Sequence, residues 1–163
     1  MSAVELTTVG AFAQQALGEF LVTMLEIEDG EATEPSLTDD PMPNSELTAF
    51  VGFAGDLKGG VTIQGTLLAG RLVAAGLLCA DDPEELEHDE IQDAFGEVAN
   101  IIAGGIKTRL EDDGFATDIS VPVTILSPDK ISLHYKPVSS VVWLEAKCHG
   151  ELIRVAASMA SAK

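Results

Sequence analysis

In the stretch DAFGEVANIIAGGIKTRL, residues 93–110, Asp93, Glu97, Asn100 and Gly104 recur at intervals of four, three and four. On an α-helix, residues three and four apart are neighbours, so these intervals gather the four positions on one face. That face presents an acid, an amide and, one turn further on, no side chain at all. A partner's backbone can come close over Gly104, because glycine carries no Cβ. The same stretch holds poor helix formers at Gly96, Asn100, Gly104 and Gly105. Each mid-helix glycine costs roughly 1 kcal/mol relative to alanine and asparagine about half that, so the four together cost about 3 kcal/mol or more. That is a sizeable part of a domain's net stability, and local rules broken without visible return tend to mark functional surfaces. A plainer alternative has Glu97 and Asn100 as solvated helix residues, with Gly96 and Gly105 allowing close helix packing.

The helix carrying that face has a clear inner side. At about 100° per residue, Ile91, Phe95, Val98, Ile102, Ile106 and Leu110 fall in one sector. Asp93, Glu97, Asn100, Gly104, Lys107 and Glu111 fall in the opposite one. Its start is acidic, DDPEELEHDE at 81–90, with Pro83 suited to the first helical position and carboxylates to the N-terminal dipole. The helix is expected to run to about Asp112.

Upstream, residues 10–28 place Phe12, Ala16, Phe20, Met24 and Ile27 at spacings of three and four, an amphipathic helix. Residues 29–45, rich in Pro, Asp and Thr, read as a mobile loop inside the domain. Two short runs, 47–54 and 60–66, flank Gly55-Asp56-Leu57-Lys58-Gly59 and predict a β-hairpin. Residues 67–80 return to helical periodicity. Between 115 and 158, ATDISVPVTIL, KISLHYKPV, SVVWLEAKC and ELIRVAAS read as strands, divided at Ser127-Pro128-Asp129, Ser139-Ser140 and His149-Gly150. The order helix, two strands, two helices, four strands lacks βαβ alternation. It predicts an α+β fold with a mostly antiparallel sheet, and its two helix–strand–strand units hint at duplication.

Composition sets limits. The 163 residues, 46% hydrophobic, suit one domain over 1–163. With 27 acidic against 9 basic residues, the net charge of −18 disfavours nucleic acid and anionic membrane as partners and favours a partner presenting Lys or Arg. No apolar run is long enough to span a bilayer and no signal peptide is visible, so a cytoplasmic location is expected. Cys79 and Cys148 read as reduced core residues, and Trp143 and Tyr135 as core or sheet residues. His88 among its carboxylates lacks a second histidine, His134 and His149 read as structural, and no metal site is expected. GDLKGG lacks a P-loop ending, and no Ser or Cys has a visible base partner.

The spacing Asp93-x-x-x-Glu97-x-x-Asn100 resembles the Asp/Ser-x-x-x-Glu-x-x-Asn signature of the CheC/CheX/FliY family of response-regulator phosphatases. In that family a proline follows on the next strand, where Pro122 stands here. GFAGDLKGGVTIQ resembles the family's hairpin and AFAQQALGEFLVTML its first helix, so the likeness runs over most of the chain. Glu19 on the first helix is followed by Thr23 and Met24 with no matching asparagine, and a single copy looks like CheX rather than the two-copy CheC.

The resemblance implies a CheC-like, pseudo-duplicated α+β architecture, often a homodimer, and hydrolysis of the aspartyl phosphate on CheY-type receiver domains. It implies Glu97 and Asn100 as the catalytic pair, the acid against the receiver's lysine and the amide inside the receiver's active site. Asp93 and Gly104 would serve docking or support, and Asp93 is equally readable as an ordinary solvated acid. No cofactor of its own is expected, and Mg²⁺ would belong to the receiver. The chemistry is consistent with this, since an acyl phosphate already has a good leaving group and a carboxamide can hold a water in line. The alternative is a non-catalytic receiver-binding module of the same fold.

Overall fold

The computed structural model describes residues 4–38, 45–131 and 141–161. Helix α1 (Leu6–Thr23) buries Val9, Ala13, Ala16, Leu17, Phe20 and Leu21. The expected stripe is therefore right at Ala16 and Phe20 and wrong further on. Glu26 takes φ 55° and the Ile27 N–H returns 3.0 Å to the Leu21 carbonyl, so the helix stops before Ile27 and leaves Met24 exposed.

The segment read as a loop from 29 to 45 contains strand β1 (Ser36–Thr38), an edge strand on the later β6. Three residues carry too little alternation to announce a strand; pairing alone makes it one. The question of mobility falls partly on 39–44, outside the described residues.

Strands β2 (Ser45–Gly55) and β3 (Leu57–Gly65) form the expected hairpin, longer on both sides than the sequence suggested. Gly55 is at φ +114°, and a Cβ there would sit 2.4 Å from the Ala116 carbonyl oxygen, so only glycine fits this turn. Helix α2 (Leu67–Leu78) is capped by Thr66, whose Oγ1 accepts from the Ala69 N–H at 3.0 Å.

Pro83 opens a separate 3₁₀ turn, Pro83–Glu85, and not the long helix. Buried Leu86 follows in extended conformation. Arg71 donates to the carbonyls of Pro83 and Leu86 at 3.2 and 2.9 Å, holding the turn against α2. Helix α3 (His88–Asp112) then begins, with the Glu87 N–H donating to Glu90 Oε2 at 2.8 Å.

Beyond α3, the expected strand 116–126 is two: β4 (Thr117–Ile119) and β5 (Val123–Ile131), both on β2. The pairing jumps from Phe53↔Ile119 to Phe50↔Val123, so three residues, Ser120-Val121-Pro122, face two on β2. This is a bulge, and Pro122 lacks the N–H a continuous ladder would use. Ser127-Pro128-Asp129 does not end a strand; β5 runs through it with a register shift opposite Ser45/Leu47. Most of the strand expected over 130–138, with His134 and Tyr135, lies outside the described residues.

Strands β6 (Val141–Cys148) and β7 (Glu151–Ser161) are joined by His149 (φ 49°) and Gly150 (φ 90°), the tight turn expected. Trp143 lies under the Arg154 guanidinium, 5.0 Å from its ring centroid.

The described strands form one antiparallel sheet in the order β1-β6-β7-β3-β2-β4, with β5 also on β2. Alternation places Leu57, Val61, Ile63, Ile153, Val155 and Ala157 in one core with the inner faces of the helices. The two hairpins meet at β3 and β7, while α1 packs over β6 and β7 and α3 over β2. Each long helix thus covers the hairpin that does not follow it in sequence, a swapped form of the expected duplication. Among the described strands, the Val/Ile-rich β6 and β7 lie inside this sheet rather than at its edge.

Cys148 is buried, and burial pushes its thiol up to about 11. Cys79 is not in the core: it is the left-handed cap of α2 (φ 52°) and is exposed. A thiol reagent at pH 8 is therefore expected to label Cys79 within minutes and Cys148 only on unfolding. Equal labelling rates in the native protein would contradict this placement.

Candidate functional site

Helix α3 separates its two faces as its periodicity required. Ile91, Phe95, Val98, Ile102, Ile106 and Leu110 are completely buried. Asp93 and Glu97 are exposed, and Asn100 and Gly104 are half-buried on the opposite side. Glu97 and Asn100 stand one turn apart, about 4.5 Å along the axis. Among the described residues neither side chain makes a hydrogen bond or an ion pair, and the same holds for Asp93. The carboxylate and the carboxamide keep their hydrogen-bonding capacity for another molecule.

The neighbouring cations are engaged elsewhere. Lys107 pairs with Glu111 at 2.5 Å. Arg109 donates to Glu19 Oε1 at 2.6 Å and to Gln15 Oε1 at 2.9 Å, tying α3 to α1. Glu97 therefore meets no positive charge on this helix, and one supplied from outside would complete it.

The three glycines have different reasons. A Cβ on Gly105 would lie 2.9 Å from that of Ala16, so Gly105 sits where α1 and α3 cross. A Cβ on Gly96 would lie 2.8 Å from Thr124 Oγ1 and 3.7 Å from Pro122, so Gly96 lets β5 approach α3. Packing explains both. A Cβ on Gly104 would meet nothing within 4 Å. Its small size answers to nothing inside the fold, and it continues the face of Glu97 and Asn100.

A thermal melt separates these cases. Gly104→Ala is expected to stabilise by about 0.5–1 kcal/mol, the helix-propensity gain. Gly105→Val is expected to destabilise by about 1–3 kcal/mol, because α1 must move away. A Gly104→Ala protein that melts lower than wild type would show an unseen internal reason for that glycine.

Next to this face lies a groove that the sequence reasoning missed. It holds about 250 Å³ between the first half of α3 and the start of β5, and Asp89, Gln92, Asp93, Gly96, Pro122 and Thr124 line it. The signal was present in part: Gly96 lies one turn beyond Gln92, which leaves a gap in the helix surface. What no periodicity could reveal is that the bulge would bring Pro122 and Thr124 to its other wall. A different hollow, about 150 Å³ at the start of α2, is lined by Glu46, Gln64, Glu145 and Arg154 among others. It holds none of the expected site residues. Among the described residues no group of three or more His, Cys, Asp or Glu side chains has the arrangement to hold a metal ion, and no helix is long and apolar enough to cross a membrane.

Comparison with known proteins places this geometry. The protein-family model described as "Chemotaxis phosphatase CheX" matches residues 47–143, more than half of the chain and all of α3. No curated protein matches. Among solved structures, a chemotaxis protein CheX from Desulfovibrio desulfuricans superposes with TM-score 0.83 at 21% identity, covering 94% of this chain and 99% of that one. CheX from Borrelia burgdorferi, solved as a CheX–CheY–BeF3–Mg²⁺ complex, gives TM-score 0.73 at 26% identity, covering 91% and 96%. FliY from Thermotoga maritima gives TM-score 0.60 at 19% identity, covering 91% and 87%, a likeness of fold.

Proposed function

From the premise that this chain belongs to the chemotaxis phosphatase CheX family, we propose that it hydrolyses the aspartyl phosphate of a CheY-type receiver domain docked on the outer face of α3. One observation carries the assignment of residues. Glu97 and Asn100 are side by side on the open face of a helix whose other face is fully buried, and neither is engaged by the described residues. The Borrelia relative, solved with CheY bound in the presence of BeF3 and Mg²⁺, supports a receiver as the partner.

The division of labour follows from the functional groups. Glu97 offers a carboxylate to a lysine ammonium on the receiver, which aids encounter and fixes register. Asn100 lies one turn further along and enters the receiver's active site. A carboxamide is no base at neutral pH, but its oxygen accepts a hydrogen bond from a water and its NH₂ group donates one. It can therefore hold that water in line with phosphorus, as a glutamine does in GTPases. The water oxygen bonds to phosphorus, the bond from phosphorus to the aspartyl oxygen breaks, and inorganic phosphate and a free carboxylate result. Gly104 leaves space for the receiver's backbone, and Asp93 extends the negative face. Mg²⁺ belongs to the receiver and neutralises phosphoryl charge there; this chain is assigned no cofactor of its own.

The test is phosphate release from a phosphorylated CheY-type receiver with Mg²⁺, with and without this protein. Acceleration at substoichiometric protein supports the reading. Binding without acceleration would make the chain a receiver-binding adaptor. A cytoplasmic homodimer accompanies the proposal on the family resemblance, and light scattering that finds only monomer would remove the dimer.

A further inference from the structure

Glu97 and Asn100 occupy little area. A protein–protein contact of standard size covers about 800 Å² on each partner, a disc of about 16 Å radius. The groove beside α3 begins at Asp93, one turn from Glu97, and extends to Asp89, about 12 Å from Glu97 along the axis at 1.5 Å per residue. A receiver seated over the pair therefore covers it. We propose that this groove is a second contact that selects the receiver: it takes a lysine or arginine side chain of the docked domain, distinct from the lysine opposite Glu97. This rests on the receiver-docking reading above.

Three observations point to that occupant. The walls supply acceptors and little else that binds an anion: the carboxylates of Asp89 and Asp93, the Gln92 amide and the Thr124 hydroxyl. Among the described residues the side chains of Gln92, Asp93 and Thr124 have no hydrogen-bond partner. Among the described residues no cation lines the groove, and Arg71, Lys107, Arg109 and Arg154 are engaged elsewhere.

Pro122 gives the β5 wall an apolar part, along which the methylene stem of a long basic side chain can lie while its head reaches the carboxylates. Gly96 keeps the floor clear. Selection then follows from charge and length: a receiver with a neutral or acidic residue here leaves two carboxylates covered and without a counter-charge.

The experiment places charge in the groove without touching the pair. Gln92→Lys fills the cation's place with the protein's own ammonium, and Gln92→Glu adds a third carboxylate. With a phosphorylated CheY-type receiver, Gln92→Lys is expected to raise KM about tenfold and Gln92→Glu to lower it, with the change on KM rather than kcat. The Kd for the same receiver loaded with BeF3 and Mg²⁺ should move in the same directions. Shifts of equal sign in the two variants, or none, would overturn the groove proposal while leaving the phosphatase reading intact. If wild type binds the receiver but releases no extra phosphate, the phosphatase reading fails and the Kd series alone decides the groove. If wild type binds no receiver, both fall.

Discussion

Asn100→Ala is expected to reduce receiver dephosphorylation by about 10²–10³-fold while the protein still binds its receiver. The expected loss is large because the substitution removes the only group assigned to the attacking water. A positioned water reacts as if it were present at very high effective concentration, and an unpositioned one does not. Binding should survive because Asn100 is one side chain of the proposed contact surface, which runs from Asp89 to Gly104. The fold survives too: Asn100 makes no hydrogen bond among the described residues, and alanine is the better helix former. The measurement is single-turnover phosphate release at saturating protein, paired with a binding titration against the BeF3-loaded receiver. Equal release rates for wild type and Asn100→Ala would end the catalytic assignment. Loss of binding in step with loss of rate would make Asn100 a docking residue instead.

Glu97→Lys is expected to act on the other side of that division. Two cations placed face to face repel, and like charges brought together at an interface cost several kcal/mol, so Kd should rise on the order of 100-fold. The defect should shrink as ionic strength rises, because the Debye length falls from about 10 Å at 0.1 M to about 3 Å at 1 M. Glu97→Gln, which loses the charge but keeps the shape, should fall between. At saturating receiver the residual kcat of Glu97→Lys should exceed that of Asn100→Ala, since the water's aligner remains. A Kd for Glu97→Lys equal to that of wild type would remove Glu97 from the interface.

How much of this could be read from the chain differed by element. Helix α3 was legible almost residue by residue, because a 3.6 period over 25 residues leaves few alternatives. The His149-Gly150 turn was legible because two successive positive φ values ask for that chemistry. Helix α1 was legible as a helix but not in its phase. Its inner face also holds Ala13, a small residue that a search for large apolar side chains passes over, while Met24, which such a search favours, is exposed. Cys79 looked like core by type, and only the backbone shows that it caps α2. β1 carries no pattern of its own, and the break between β4 and β5 was hidden because ATDISVPVTIL alternates well enough to pass for one strand.

At the site, the Glu97/Asn100 face could be placed from spacing. Close packing at Gly96 and Gly105 was readable as an alternative, but what they pack against was not: Ala16 for Gly105 and Thr124 for Gly96, with open space at Gly104. The groove lies between elements distant in sequence, and nothing local announces it.

The crossed arrangement of helices and hairpins governs how the molecule is made. β7, the last of the described strands in sequence, is bonded to β3 on one side and β6 on the other, in the middle of the sheet. α1 precedes both β6 and β7 by more than a hundred residues, yet apart from α3 the surface it covers belongs mostly to them. At about 5–20 residues per second, the first helix waits several seconds or more for its seat. During that interval the part of its apolar side that β6 and β7 cover stays open in the nascent chain.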